Sequence, residues 1–140
     1  MRHILYLFAI IALAGMTIAG SCSKGGGGGG GGGGGEQTLV VELNPPANSV
    51  QAPAPGPDFP LTVTIKSTMP SAGVKIDVSA RTDVAGSTPF FTESKNSTSS
   101  VNNFTITNSP KGAILRVDVT VTSLSTSTNK FTGSYTYSRK

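Results

Sequence analysis

Apolar and polar residues alternate along most of the chain after residue 37. Successive side chains of a β-strand point to opposite faces of the sheet, so this alternation predicts strands with one apolar face each. Six segments carry it clearly: TLVVEL (38–43), LTVTIKS (61–67), VKIDVSAR (74–81), VNNFTIT (101–107), LRVDVTVTS (115–123) and KFTGSYTYS (130–138). The segment TPFFTES (88–94) is a weaker seventh strand.

Turn-forming residues separate these segments. MPSAG (69–73) and SPKG (109–112) both place proline at the second position and glycine at the end, as type I turns prefer. The proline-rich segment 44–60 is incompatible with a central strand and predicts a surface loop that leads into the second strand. No segment after the N-terminal leader has helical periodicity. The pattern therefore predicts an all-β domain, a single seven-stranded antiparallel β-sandwich.

The first 21 residues have the organisation of a secretory signal peptide. Arg2 supplies the positive charge, Ile4–Ala14 the apolar segment, and Ala19–Ser21 the small residues of a cleavage region. An uncleaved membrane anchor is the alternative, because the uncharged stretch 4–20 is about as long as the shortest membrane-spanning helices.

Eleven consecutive glycines, Gly25–Gly35, follow the leader. Glycine has no side chain to bury and the largest backbone entropy to lose, so this stretch predicts a disordered, flexible linker. A phosphate-binding glycine loop needs a preceding strand, a following helix and a Lys-Ser/Thr pair, none of which the pattern predicts. The domain boundaries are then 1–21 for the signal peptide, 22–36 for the tether and 37–140 for the β domain.

Composition restricts the chemistry of the mature chain. The net charge is +4 for the full chain and +3 without Arg2 of the leader, and the charges are scattered, without the basic face that nucleic-acid binding requires. The only histidine, His3, lies in the leader, and the chain has no tryptophan. Histidine-dependent acid–base, triad and zinc chemistry is therefore excluded after cleavage, and we expect neither a cofactor nor enzyme activity.

Carboxylates leave two alternatives open. A glycosidase needs only two acidic residues, and a calcium ion needs several oxygen ligands close together. Asp77 and Asp118 lie mid-strand on polar faces, where solvated surface charges are the simpler interpretation. Asp77 and Asp83 are the nearest approach to a calcium site, without a supporting motif.

Cys22, the only cysteine, follows Ala19-Gly20-Ser21. This sequence resembles the lipobox of bacterial lipoproteins, in the looser form found in Bacteroidetes-like members, with Ala19 where leucine is usual. The resemblance implies that the Cys22 thiol carries a diacylglyceryl group, that the leader is cleaved before it, and that the protein is anchored in the cell envelope, in the outer membrane. The number and spacing of strands resemble the immunoglobulin-like or fibronectin type III-like modules of bacterial envelope proteins, without the Cys–Trp–Cys signature of true immunoglobulin domains.

The sequence therefore predicts a non-enzymatic, lipid-anchored envelope protein that presents a β-sandwich for interaction or structural roles. Its expected partners are the membrane and an envelope protein or glycan. The alternative is a glycan- or surface-binding accessory module, in which Phe59, Phe90 or Phe91 serves as an aromatic contact for the ligand.

Overall fold

The structure is a computed structural model that describes residues 35–140. The predicted signal peptide, Cys22 and all but the last glycine of the tether lie outside the described residues. The described part contains seven strands: β1 (Val41–Asn44), β2 (Phe59–Ile65), β3 (Val74–Thr82), β4 (Phe91–Ser97), β5 (Val101–Ile106), β6 (Ile114–Ser123) and β7 (Lys130–Ser138). Within residues 35–140, no helix has the length and apolar character needed to cross a membrane.

The strands form two antiparallel sheets. One sheet has the order β1-β2-β5, and the other has the order β4-β3-β6-β7. One core cluster draws its buried apolar side chains from both sheets, which is the organisation of a β-sandwich. The predicted fold class, an all-β sandwich of seven antiparallel strands, is confirmed.

The position of β4 distinguishes two forms of this sandwich. In the constant-type immunoglobulin arrangement the fourth strand joins the sheet of the first, second and fifth strands. Here β4 pairs with β3 along its whole length, from Val74 opposite Ser97 to Ala80 opposite Phe91. The four-stranded sheet therefore gains an edge strand, and the three-stranded sheet is left with β5 at its edge.

The alternation in sequence corresponds closely to burial in the structure. Most residues of the predicted apolar faces are 5% exposed or less: Leu39, Leu43, Leu61, Val63, Ile65, Val74, Ile76, Val78, Ala80, Phe104, Ile106, Leu115, Val117, Val119, Val121, Tyr135 and Tyr137. Val41 and Phe131, which the alternation places on the same faces, are half-buried. Most of their intervening neighbours are polar or charged, although Val40 and Val101 are exposed apolar exceptions. Since a slip of one residue would exchange the two faces, this pattern fixes the strand register.

The proline-rich segment differs from its prediction in two ways. Its last residues, Phe59 and Pro60, belong to β2, the central strand of the three-stranded sheet. Proline is tolerated there because β1 pairs only with Thr62–Ile65, so β2 has a single neighbour at Pro60. The segment also runs parallel to β7, with bridges from Val50 to Thr136 and from Ala54 to Arg139.

The proline-rich segment, by running parallel to β7, covers the outer edge of that strand. The amide nitrogens of Asn48, Gln51 and Ala54 donate to backbone carbonyls of β7 at 2.7–2.8 Å. Ala54 is 3% exposed, so the segment is partly buried and is more than a surface loop. An edge strand with its hydrogen-bonding groups occupied is protected from pairing with another chain.

Three aromatic rings join the two sheets. Phe59 of β2 stacks on Tyr137 of β7, with ring centroids 4.2 Å apart, and lies 6.0 Å from the ring of Tyr135. The hydroxyl of Tyr137 shares a hydrogen bond of 2.6 Å with that of Ser109, and both residues are buried. Burial raises the pKa of both tyrosines, and for Tyr137 the bond to Ser109 opposes the shift.

Candidate functional site

The predicted contact residues do not form one site. Phe59 opens β2 and its ring packs on Tyr137, so the aromatic face expected to receive a ligand is already in contact with the protein. Phe91 is the first residue of β4 in the other sheet, and Phe90 directly precedes it. All three are half-buried against the core. Cys22, the predicted lipidation site, lies outside the described residues.

A surface depression of about 310 Å³ lies on β3, β4 and β6. Asp77 and Ser79 come from β3, Thr92 and Ser94 from β4, and Asp118 and Thr120 from β6, with Val78 and Glu93 completing the lining. Cross-strand pairing places Ser94, Asp77 and Thr120 in one row, and Thr92, Ser79 and Asp118 in the next. Since paired residues point to the same face, these six side chains form a continuous polar surface.

Asp77 occupies the centre of the first row. Ser94 Oγ donates to its Oδ1 at 2.6 Å, and Lys75 Nζ lies 3.0 Å from the same oxygen. The hydrogen bond from Ser94 has the largest effect and lowers the pKa of Asp77; partial burial opposes this shift, and Lys75 adds to it. The Asp77 side chain is therefore a carboxylate at neutral pH, with a serine and a lysine as its partners.

Two other acidic side chains, Asp118 on β6 and Asp83 directly after β3, also have basic partners. Arg81 Nε lies 3.4 Å from Asp118 Oδ2. Arg116 Nε donates to Asp83 Oδ1 at 2.7 Å, and this bond is the main cause of the lowered pKa of Asp83. Charges of opposite sign thus alternate across β3 and β6, which keeps the local net charge small.

The arrangement fits binding through hydroxyl groups and carboxylates better than acid–base catalysis. Asp77 and Asp118 are diagonal neighbours on adjacent strands, about 7–8 Å apart between Cα atoms, so spacing alone allows a carboxylate pair. Glycoside hydrolysis, however, needs one carboxylic acid with a raised pKa. Asp77 shows the opposite shift, and both carboxylates are held in ion pairs.

The calcium alternative finds no geometric support in the described residues. Asp77 pairs with Lys75 and Asp83 with Arg116, so each carboxylate is bound to a separate base. Over residues 35–140, no group of three or more histidine, cysteine, aspartate or glutamate side chains is placed to hold a metal ion.

The Asp77 interactions predict a specific dependence of stability on pH. A folded-state pKa below the ordinary value of 3.8 means that Asp77 stabilises the fold above that value and that this contribution is lost as the pH falls through the folded pKa. We expect Asp77→Asn to lose less stability than the wild type between about pH 5 and pH 2 in urea titrations. Equal slopes for Asp77→Asn and wild type would contradict the assignment.

Sequence reasoning identified Asp77 and Asp118 as surface charges but missed the depression that they line. The predicted polar faces that carry Asp77 and Asp118 also carry the bases Lys75, Arg81 and Arg116. The alternation of apolar and polar residues therefore predicts the orientation of these bases but not which acid each one contacts. The partners depend on the register between β3, β4 and β6.

Compared with protein-family models, curated proteins and solved structures, the chain matches none. The class that the structure defines is an all-β sandwich with a polar sheet face.

Proposed function

We propose that this chain is a non-enzymatic, lipid-anchored protein of the bacterial cell envelope, which presents its β-sandwich on a flexible tether. Cys22 is the site of lipid attachment, and the segment from Ser23 to Gly35 is the tether. Two or more acyl chains give stable anchoring where one chain is marginal.

The observation that carries this proposal is the sharp junction between the glycine run and the folded domain. Asn129 holds the start of the domain: its Nδ2 donates to Glu36 Oε1 and to Gln37 O, and its Oδ1 accepts from Leu39 N. Ser123 Oγ donates to Glu36 Oε2 at 2.9 Å. The fold therefore engages the chain from Glu36, the residue directly after Gly35 and the last one predicted to belong to the tether.

This junction gives the tether a defined length. A glycine-rich chain of the thirteen residues 23–35 has a root-mean-square length of about 20 Å and reaches about 45 Å when stretched. That distance is comparable to the size of a small domain. A domain on such a tether can reach partners beside the lipid surface without changing its own structure.

Membrane fractionation of cells producing wild type and Cys22→Ala tests the anchor. We expect the wild type in the membrane fraction and the variant in the soluble fraction, because the variant lacks the thiol that carries the lipid. Ser21→Ala, which keeps a small residue at the cleavage region, is the matched control and should remain with the membrane. Membrane association that persists in Cys22→Ala would contradict the proposal and favour the uncleaved helix.

The second candidate is glycan binding at this surface depression, and the observation that favours it is the array of serine, threonine and aspartate side chains on β3, β4 and β6. Hydroxyl and carboxylate groups are suitable hydrogen-bond partners for sugars. Titration with envelope polysaccharide, followed by NMR, should shift the amides of Ser79, Ser94 and Thr120. Shifts centred on Phe59, Phe90 or Phe91 would instead support the aromatic contacts predicted from the sequence, and an unchanged spectrum would contradict glycan binding.

A further inference from the structure

The two edges of the four-stranded sheet differ in their protection. The edge of β7 is covered by the proline-rich segment, which donates three backbone hydrogen bonds to it. Strand β4 forms the opposite edge and is paired only with β3. Within residues 35–140, no segment outside the sheet donates a backbone hydrogen bond to β4. Its outer N–H and C=O groups are therefore available to another strand.

The side chains of β4 are exposed on both faces between Phe91 and Ser97. Glu93 is paired with Val78, and Lys95 is paired with Ile76, so both charges lie on the core-facing side of the sheet, beyond the limit of the core. Most charged residues on the strands of the described domain form salt bridges, but Glu93 and Lys95 form none there.

We propose that the edge of β4 is a self-association surface that pairs antiparallel with β4 of a second copy of this chain. The two-fold axis passes through Ser94. In this register Glu93 of one copy lies opposite Lys95 of the other, and the reverse pair forms on the other side of the axis. The two sheets then join into one continuous eight-stranded sheet through an interface that uses the same residues on both copies.

The charges of β4 select this register over its neighbours. An axis through Glu93 would place two glutamates opposite each other, and an axis through Lys95 would place two lysines opposite each other, both of which are destabilising. An axis between two residues is excluded, because it would pair neighbouring residues of the strand, which point to opposite faces of the sheet. Inward-pointing charges usually protect an edge from pairing. On β4 one acid and one base, two residues apart, instead leave a single favourable register.

Charge variants of the full chain, solubilised in mild detergent, test the proposal through the dimer fraction measured by sedimentation. We expect a concentration-dependent dimer for the wild type. Glu93→Lys and Lys95→Glu should each weaken dimerisation roughly tenfold, because each turns two attractive pairs into two repulsive ones. Lys130→Glu changes the charge by the same amount as Lys95→Glu, but on β7, and should leave the dimer unchanged.

The decisive part of this experiment is a pair of samples in which opposite charges face each other again and dimerisation should be restored. The double variant Glu93→Lys/Lys95→Glu should dimerise like the wild type, because the opposite charges are exchanged but still face each other. A mixture of the two single variants should form a heterodimer about as tight as the wild-type dimer, although each variant alone dimerises roughly tenfold more weakly. Unchanged melting temperatures would show that the monomer fold is intact. A monomer at every concentration, or single variants that dimerise like the wild type, would overturn the proposal.

A cysteine cross-link locates the axis. Ser94→Cys should form an intermolecular disulfide, because directly paired residues have Cα atoms about 4.5–5.5 Å apart, within disulfide range. Thr92→Cys lies on the same face, but in this register it is four positions, about 13 Å, from its copy and should not cross-link. The wild type gives the background due to Cys22. Equal cross-linking at positions 92 and 94 would contradict the register.

Discussion

Replacing Tyr137 with alanine is expected to lower the free energy of unfolding by about 3–5 kcal/mol, the range found when buried aromatic side chains are truncated. Tyr137 is 1% exposed, stacks on Phe59 across the two sheets and shares a hydrogen bond with Ser109. The substitution removes the stacking contact, opens a cavity between the sheets and leaves a buried hydroxyl without its partner. A loss of this size is a large fraction of the about 5–15 kcal/mol that stabilises a typical domain.

Tyr137→Phe separates the two contributions to this loss. It keeps the ring stacked on Phe59 and removes only the hydroxyl, so we expect a cost of about 1–3 kcal/mol from the unpaired Ser109. Urea unfolding followed by circular dichroism measures both variants. If Tyr137→Ala cost no more than Tyr137→Phe, the aromatic contact between the sheets would not contribute to stability.

Replacing Gly73 with alanine is expected to cause the second large loss. Gly73 has φ +83°, and a Cβ added there would lie 2.5 Å from the backbone oxygen of Ser97, at the end of β4. Because a backbone atom cannot move aside as a flexible side chain can, the start of β3 and the end of β4 would have to separate. The added methyl group therefore combines backbone strain with steric overlap, and we expect a cost of more than about 2 kcal/mol.

Gly112→Ala is the matched control for this substitution. Gly112 also has a positive φ, +73°, but a Cβ there meets nothing within 4 Å. Strain alone should cost about 1 kcal/mol. The difference between the two variants in urea unfolding measures the overlap with Ser97. Equal losses would show that β4 moves freely at this end, which would contradict the close pairing of Val74 with Ser97.

The fold could be predicted from the sequence wherever one face of a strand is buried. The segments containing Val74, Val78, Val117 and Val121 alternate strictly, and the structure buries these side chains. β4 was the weakest prediction for a physical reason: it is an edge strand exposed on both faces, so no apolar periodicity marks it. Its length, to Ser97, depends on hydrogen bonding to β3 and not on its own side chains.

The site was less predictable because it depends on which strands are neighbours. Phe59 appeared to be a loop aromatic, since proline surrounds it in sequence, yet it stacks on Tyr137 from a strand 78 residues away in the chain. The pairing of Asp77 with Ser94 likewise requires the register of β3 with β4. The alternation of apolar and polar residues predicts the face of the strand on which each side chain lies. It does not predict which residue of the neighbouring strand is its partner.

The hydrogen bonds that Asn129 makes with the start of the domain could not be predicted from the sequence for the same reason. Asn129 lies in the turn between β6 and β7, where asparagine is ordinary, and nothing in its local sequence indicates contact with Glu36 and Gln37. The contact exists because the β6–β7 turn and the entry of the chain into β1 lie at the same end of the sandwich. The sequence predicts that the tether ends at Glu36, whereas in the structure Glu36 is hydrogen-bonded to Ser123 and Asn129 of the folded domain.

The mass of the N-terminal peptide of the mature protein tests the central claim most directly. Purified from membranes and digested, the protein should yield a peptide that begins at Cys22 and carries the mass of a diacylglyceryl group, with or without a further acyl chain on the new amino terminus. The glycine run should follow unmodified. A peptide that begins at Met1, or one that contains an unmodified Cys22, would contradict lipid anchoring and with it the role of the glycines as a membrane tether.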